Sequence, residues 1–169
     1  MSKVTFHDDP VNLSGSLPAV GQAAPAFSLV GGDLAEVSLA SLAGKVVVLN
    51  IVPSLDTPIC ALSAKRFNAE ASALPNTVIV NVSADLPFAQ KRFCSAENLE
   101  DIVNLSTFRA PSFGKDYGVT ILDSPLAGLL ARAVVVVDGD GKVAYTQLVP
   151  EIGQEPDYEP VLAAVKALV

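Results

Sequence analysis

Two cysteines, Cys60 and Cys94, are the only thiols in the chain, and their positions decide what sulfur chemistry is open to it. Cys60 ends the stretch Val52-Pro53-Ser54-Leu55-Asp56-Thr57-Pro58-Ile59-Cys60. The β-branched run Val46–Val52 before it reads as a strand buried on both faces. Thr57 or Asp56 is placed to cap a helix whose first residue is Pro58, so Cys60 falls in the first turn. Unpaired backbone N–H groups and the positive end of the helix dipole favour a thiolate there. The shift matters, because an ordinary thiol with a pKa of about 8.5 is only about 3% ionised at pH 7. Cys60 also begins an apolar stripe with Ala64, Phe67, Ala71 and Leu74, so it reads equally as a small core residue.

Cys94 tips that balance. On a helix starting near Pro87, Leu86, Ala89, Phe93 and Ala96 share an apolar side, whereas Cys94 aligns with Pro87, Gln90, Lys91 and Asn98. A cysteine on a mostly polar face is expected to be reached by another sulfur or by a partner. Two cysteines are too few for a disulfide scaffold. With His7 the only histidine, a four-ligand metal site is not expected, and neither is a cofactor. A Cys60–Cys94 bond would close a loop of 94 − 60 = 34 residues. As a permanent staple it would contribute roughly 4 kcal/mol, but a transient catalytic disulfide suits a reducing compartment better. Cys94 should lie roughly 10 Å down its helix at 1.5 Å per residue. The bond, which needs Cα atoms within about 7 Å, then requires local unwinding.

The elements that position these residues follow from periodicity. Val4–Phe6 and Val11–Leu13 read as an N-terminal hairpin, within an extension spanning residues 1–16. Phe27–Val30 and Val37–Leu39 are short extended pieces around a Gly31-Gly32 turn. The strand at 46–52, the helix from Pro58 to about Leu74 and the strand Thr77–Val82 make a parallel βαβ unit. A second helix begins at Pro87, Ile102–Leu105 is extended, and Ser112–Tyr117 is a helical turn or two closed by Gly118. Ala133–Val137 and Val143–Leu148 form a hairpin around Asp138-Gly139-Asp140-Gly141-Lys142, read as a turn and not a calcium loop. Tyr158, Val161, Leu162, Val165 and Leu168 mark a C-terminal amphipathic helix. The expectation is one α/β domain over residues 1–169, a central mixed sheet flanked by helices with the N-terminal hairpin added.

Composition agrees. Of 169 residues 50% are hydrophobic and 17% charged, which favours one well-cored globule over disorder. A net charge of −7 and pI near 4.5 argue against nucleic acid or an anionic membrane as partner. Pro125–Val137 is too short and interrupted to span a bilayer. No secretory signal is read at the N-terminus, so a cytoplasmic location is expected.

Taken together, the motifs resemble a known family. Pro53-x-x-x-Thr57-x-x-Cys60 is similar to the active-site signature of peroxiredoxins. Ser83-Ala84-Asp85-Leu86-Pro87-Phe88-Ala89-Gln90-Lys91-Arg92-Phe93-Cys94 and Leu105-Ser106-Thr107-Phe108-Arg109 resemble the thiol peroxidases, the atypical two-cysteine subgroup. So do Pro125–Ala133 and Glu155-Pro156-Asp157-Tyr158. The resemblance implies a thioredoxin-like fold, with Cys60 peroxidatic and Cys94 resolving within one chain. It also implies Thr57 and Arg132 as partners of Cys60, Pro53 as its shield, a homodimer, and thioredoxin as reductant of the Cys60–Cys94 disulfide.

The residue types suit that chemistry. A thiolate attacks one peroxide oxygen in line, and charge on the departing oxygen needs stabilising. Arg132 supplies a fork of donors, and an antiparallel pairing of its strand with 46–52 would bring it to the edge where Cys60 emerges. Thr57 can cap the helix and orient a peroxide with one hydroxyl; Pro53 lacks an N–H and limits water. Substrates would be hydrogen peroxide and organic hydroperoxides. Two alternatives stand beside this reading. A disulfide reductase lacks the first cysteine of a C-x-x-C, since Thr57 occupies that place. A redox sensor or relay would pass oxidation to a partner disulfide.

Overall fold

The computed structural model describes residues 2–71 and 74–169. Its frame is a seven-stranded mixed sheet built from strands β3 (Ser28–Val30) to β9 (Val143–Leu148) in the order β4-β3-β7-β6-β5-β8-β9. Next to its central strand lies β5 (Val46–Ile51), buried along its whole length. It pairs in parallel with β6 (Thr77–Ser83), which pairs in parallel with β7 (Ile102–Ser106). On the other side β8 (Ala133–Val137) runs antiparallel to β5, with Ile51 opposite Ala133. That pairing is the one expected from sequence, and it brings the start of β8 to the carboxyl end of β5. The hairpin continues into β9 through a turn in which Asp138 Oδ1 accepts from the backbone N–H of Asp140 and Lys142. Beyond β3, β4 (Glu36–Ser38) closes the far edge.

Strand alternation sends successive side chains to opposite faces, and each face has its own core. Val47, Leu49, Ile51, Val80, Val82, Val135 and Val137 meet Phe27, Phe113 and Tyr117. Phe113 lies on α3 (Ser112–Asp116), which Tyr117 and then Gly118 follow, with Gly118 at φ 71°. Val46, Val48, Ile79, Val134 and Val136 meet α1 (Pro58–Ala71) and α4 (Tyr158–Lys166) through Cys60, Ala64, Phe67, Val161, Leu162 and Val165. Leu168, expected in that last stripe, falls past the helix end and is exposed. The helix end expected near Leu74 falls at residues outside the described set, as does the side chain of Ala71.

The N-terminal hairpin forms from β1 (Lys3–Phe6) and β2 (Asp9–Asn12), a two-stranded sheet of its own. Its connection is tighter than the four residues expected. Only His7 and Asp8 turn, at φ 52° and 69°, the left-handed pair that matches the twist of a two-residue hairpin. Pro10 therefore sits within β2 opposite Thr5, which an edge strand tolerates. Among the described residues no helix is long and apolar enough to cross a membrane.

Candidate active site

The carboxyl end of β5 leads through Val52 and Pro53 into a loop that three side chains hold in shape. Asp85 does most of this. Its carboxylate accepts from Ser54 Oγ (2.7 Å), from the Leu55 backbone N–H (2.7 Å) and from Ser83 Oγ (2.8 Å). Ser54 Oγ in turn accepts from the N–H of Asp56. Thr57, not Asp56, then caps α1: its Oγ1 accepts from the backbone N–H of Cys60 at 3.4 Å and donates to the Ser54 carbonyl at 3.0 Å. Pro58 follows as the first helical residue, the position where a missing N–H costs nothing. Cys60 is thus the third residue of the helix and is wholly buried.

Arg132 stands immediately before β8, and the β5–β8 register delivers it to this end of the sheet. It is only 3% exposed. Its Nε donates to the Ile152 carbonyl at 2.9 Å, while Nη1 is buried with no partner among the described residues. A buried guanidinium donor left open is expensive unless something else receives it. Arg132, Pro53, Ser54, Thr57, Pro58 and Ile59 line one cavity of about 330 Å³. Its remaining wall is largely apolar: Phe6, Leu126, Leu129 and Ile152, with His7 and Gly153. Cys60, next after Ile59, lies just beyond that lining and packs into the core beneath. Cys60 is thus a core residue that also sits in the first turn capped by Thr57. Pro53, Thr57 and Arg132 are brought together there as the sequence led one to expect.

Cys94 lies elsewhere. On α2 (Pro87–Glu97) the buried residues are Pro87 and Gln90, and Cys94 continues that face at half burial. The face was identified correctly from sequence, but its direction was not. It turns toward the sheet, while Leu86 and Phe88 are left 52% and 67% exposed. The reason is that the sheet presents polar groups here. Gln90 Nε2 donates to Ser83 Oγ and to the Leu105 carbonyl, so a polar helix face finds partners inside. Burial pushes the Cys94 thiol up from its ordinary value, and a hydrogen bond from Asn104 Nδ2 to Sγ, at 2.7 Å, works against that rise. Cys94 also lines a second, more open cavity of about 610 Å³ with Asn104, Gln90, Lys91 and Gly32. No disulfide joins the two cysteines; both are free.

Sequence reasoning did not find the polar residues beneath the helices. Asn50, Asn81 and Asn104 stand opposite one another across β5, β6 and β7. Asn50 Nδ2 donates to Asn81 Oδ1 (2.9 Å), and Asn81 Nδ2 donates to Asn104 Oδ1 (3.1 Å). Asn50 Nδ2 also reaches Ser63 Oγ at 3.4 Å, and that hydroxyl donates to the Cys60 carbonyl. The signal was present: each of three apolar strand segments carries one asparagine, in the same register. Among the described residues no group of three or more His, Cys, Asp or Glu is arranged to hold a metal.

Comparison with known proteins places this arrangement. Residues 19–162 match the Redoxin family. Over 167 residues, 99% of this chain and 100% of the relative, the chain is 58% identical to a thiol peroxidase of Mycobacterium tuberculosis. A peroxiredoxin-like protein from Aquifex aeolicus, solved by crystallography, superposes with a TM-score of 0.94 at 43% identity, covering 100% of this chain and 98% of the other. A thiol peroxidase from Chromobacterium violaceum shares the fold at a TM-score of 0.90 and 23% identity, over 98% and 95% of the two chains. The mixed sheet with helices on its faces is thus the thioredoxin-like fold of these peroxiredoxins, and the chain belongs to the Redoxin family, as a member of its thiol peroxidases.

Proposed function

We propose that this thiol peroxidase reduces hydrogen peroxide and organic hydroperoxides through Cys60, with Cys94 resolving the product within the same chain. The observation that carries the reading is the open donor of Arg132. Its Nη1 is buried and unpartnered among the described residues, and Arg132 shares one cavity with Thr57 and Pro53 at the start of the Cys60 helix. In the first step the Cys60 thiolate attacks one oxygen of ROOH. The O–O bond breaks, the sulfur gains oxygen as sulfenic acid, and the departing RO⁻ takes up a proton to leave as alcohol or water. Arg132 donates to the oxygen on which charge develops. The Thr57 hydroxyl gives its proton to Ser54, so its remaining lone pair is free to accept the peroxide O–H. Pro53 offers no N–H to the sulfur or to water. The apolar wall of Phe6, Leu126, Leu129 and Ile152 suits an alkyl substituent on the substrate.

In the second step the Cys94 thiol condenses with the sulfenic acid, forming the disulfide and releasing water; an external dithiol, for which we propose thioredoxin, then reduces it. Cys60 joins the ladder at the Asn50 end through Ser63, and Cys94 joins it at Asn104. Those two asparagines are separated by two inter-strand spacings of about 4.8 Å, or roughly 10 Å. Joining the sulfurs therefore requires the first turn of α1, part of α2, or both to unwind. A cytoplasmic homodimer of single-domain chains completes the reading. Stopped-flow mixing of purified protein with peroxide, followed by intact mass, tests it. Wild type should lose two hydrogens, Cys94→Ser should accumulate sulfenic or sulfinic adducts, and Cys60→Ser should show no rapid oxidation. An undiminished peroxide rate in Cys60→Ser would sink the assignment.

A further inference from the structure

We infer that Asn104 is the positioning residue that keeps Cys94 reactive, and that the ladder Asn50–Asn81–Asn104 polarises the N–H it offers to the sulfur. The inference rests on the proposal that Cys94 resolves the Cys60 sulfenic acid. Half-buried at the edge of an apolar core, a thiol is a poor nucleophile, because leaving water disfavours the anion. One hydrogen bond opposes that, from Asn104 Nδ2 at 2.7 Å.

The bond does not stand alone. Each amide in the ladder donates toward β7, Asn50 to Asn81, Asn81 to Asn104, and Asn104 to the sulfur. Three amide dipoles therefore align head to tail with the positive end on Cys94, and hydrogen bonds chained in a low dielectric strengthen one another. At the far end the Asn50 side-chain oxygen Oδ1 is buried without a partner among the described residues. Such an acceptor is costly to keep, and in this arrangement its cost accompanies an N–H delivered at the other end. The same donor serves two steps. With α1 as the element that opens, Asn104 stays on Cys94 and stabilises its thiolate as nucleophile toward the sulfenic acid, and again as leaving group when an external thiolate attacks the Cys60 sulfur of the disulfide.

Burial and the Asn104 hydrogen bond are the two influences that set the Cys94 thiol, although charged groups surround it. Lys91 on α2, Asp33 from the β3–β4 turn and Glu100 beyond the helix line its cavity. From α1, Lys65 is paired with Glu97 at 2.8 Å. The strands contribute no charged group to this side: the ladder residues of β6 and β7 are neutral.

Asn104→Asp keeps the acceptor that Asn81 uses, removes the N–H from Cys94 and adds a negative charge beside it, so Asn104→Leu, which removes the N–H and adds no charge, is its control. In a Cys60→Ser background, iodoacetamide alkylation of Cys94 followed against pH should show a midpoint raised by about one unit. The rate at pH 7 should then be about tenfold lower. Asn104→Leu should move the midpoint in the same direction. Asn50→Leu, which leaves Asn104 in place and removes the first dipole, should raise it by a smaller step. An unchanged midpoint in both Asn104 variants overturns the inference, and no step in Asn50→Leu overturns the part assigned to the ladder. With Cys60 restored, Asn104→Asp should form the disulfide about tenfold more slowly at pH 7, recover at alkaline pH, and react with peroxide at the wild-type rate. Disulfide formation at the wild-type rate despite a shifted midpoint overturns the role in resolution. A wild type that forms no Cys60–Cys94 disulfide sinks the parent reading instead.

Discussion

Replacing Asp85 by asparagine should accelerate disulfide formation while weakening the fold. Asp85 holds the Cys60 loop from outside it, through Ser54 Oγ, the Leu55 N–H and Ser83 Oγ at 2.7–2.8 Å. Bonds to a charged acceptor contribute about 1.5–3 kcal/mol each. Asparagine keeps one acceptor oxygen and sets an NH₂ where the other was, opposite hydroxyl or N–H donors. We take the net loss as about 2 kcal/mol, since the hydroxyls can reorient and part of the site reaches water. For a chain of this size that lowers Tm by about 4–8 °C. It also shifts the local opening of the loop by about 30-fold, at about 1.4 kcal/mol per factor of ten. Peroxide attack uses the closed loop, which remains the dominant state, so its rate should change less than about threefold. Resolution uses the opened loop, so its rate should rise by up to about 30-fold. Double-mixing stopped flow, with tryptophan-free detection by quench and mass, separates the two rates, and a thermal melt supplies the stability. A lowered Tm with resolution unchanged or slower would refute the idea that this loop gates the second step.

Other expectations concern single groups. Arg132→Lys should cut the peroxide reaction by about 10²–10³-fold, measured by stopped flow, because a single ammonium nitrogen lacks the separate Nε and Nη1 with which the planar fork holds the Ile152 carbonyl and faces the cavity; a change under threefold would remove the arginine from the chemistry. Tyr117 is fully buried, its hydroxyl donates to the Pro25 carbonyl at 2.7 Å, and burial followed by the nearby Asp116 raises its pKa. A raised pKa means that stability is full below the ordinary tyrosine value of about 10 and falls as pH rises beyond it. Tyr117→Phe should therefore lose about 1 kcal/mol at neutral pH yet decline less steeply above pH 10; parallel stability–pH curves in urea titrations would contradict this. Gly118→Ala should cost about 3 kcal/mol or more, since φ is +71° and the new Cβ would overlap the Ser16 backbone. A loss below about 1 kcal/mol in urea unfolding would mean that the turn readily adapts.

The strongest signals in the sequence were those of period and cap. The unbroken run Val46–Ile51, Pro58 after Thr57, and the hairpin around Asp138 all formed where local chemistry placed them. The pairing of β8 with β5 followed, and with it the arrival of Arg132 beside Thr57. What local reasoning misjudged depends on the other side of a contact. A polar helix face points outward more often than not, but on α2 Ser83, Asn104 and the Leu105 carbonyl meet it inside. The role of Asp85 was likewise hidden, because its partners Ser54 and Leu55 lie 31 and 30 residues away. The two-residue hairpin turn is hard to see in the sequence because no glycine announces the left-handed conformation of His7 and Asp8.

One link joins the first residues of the chain to nearly its last. The Ile152 carbonyl that holds the Arg132 Nε belongs to a residue whose own N–H donates to the Thr5 carbonyl. Phe6, beside it, walls the cavity. The anchor of the guanidinium thus spans 152 − 5 = 147 residues, while Cys60 and its helix can form from a short local segment. During synthesis the sulfur emerges long before the groups that put it to use. A partly made chain carries a thiol without its arginine or its pocket, and the site closes only when the C-terminal third returns to meet the first strand.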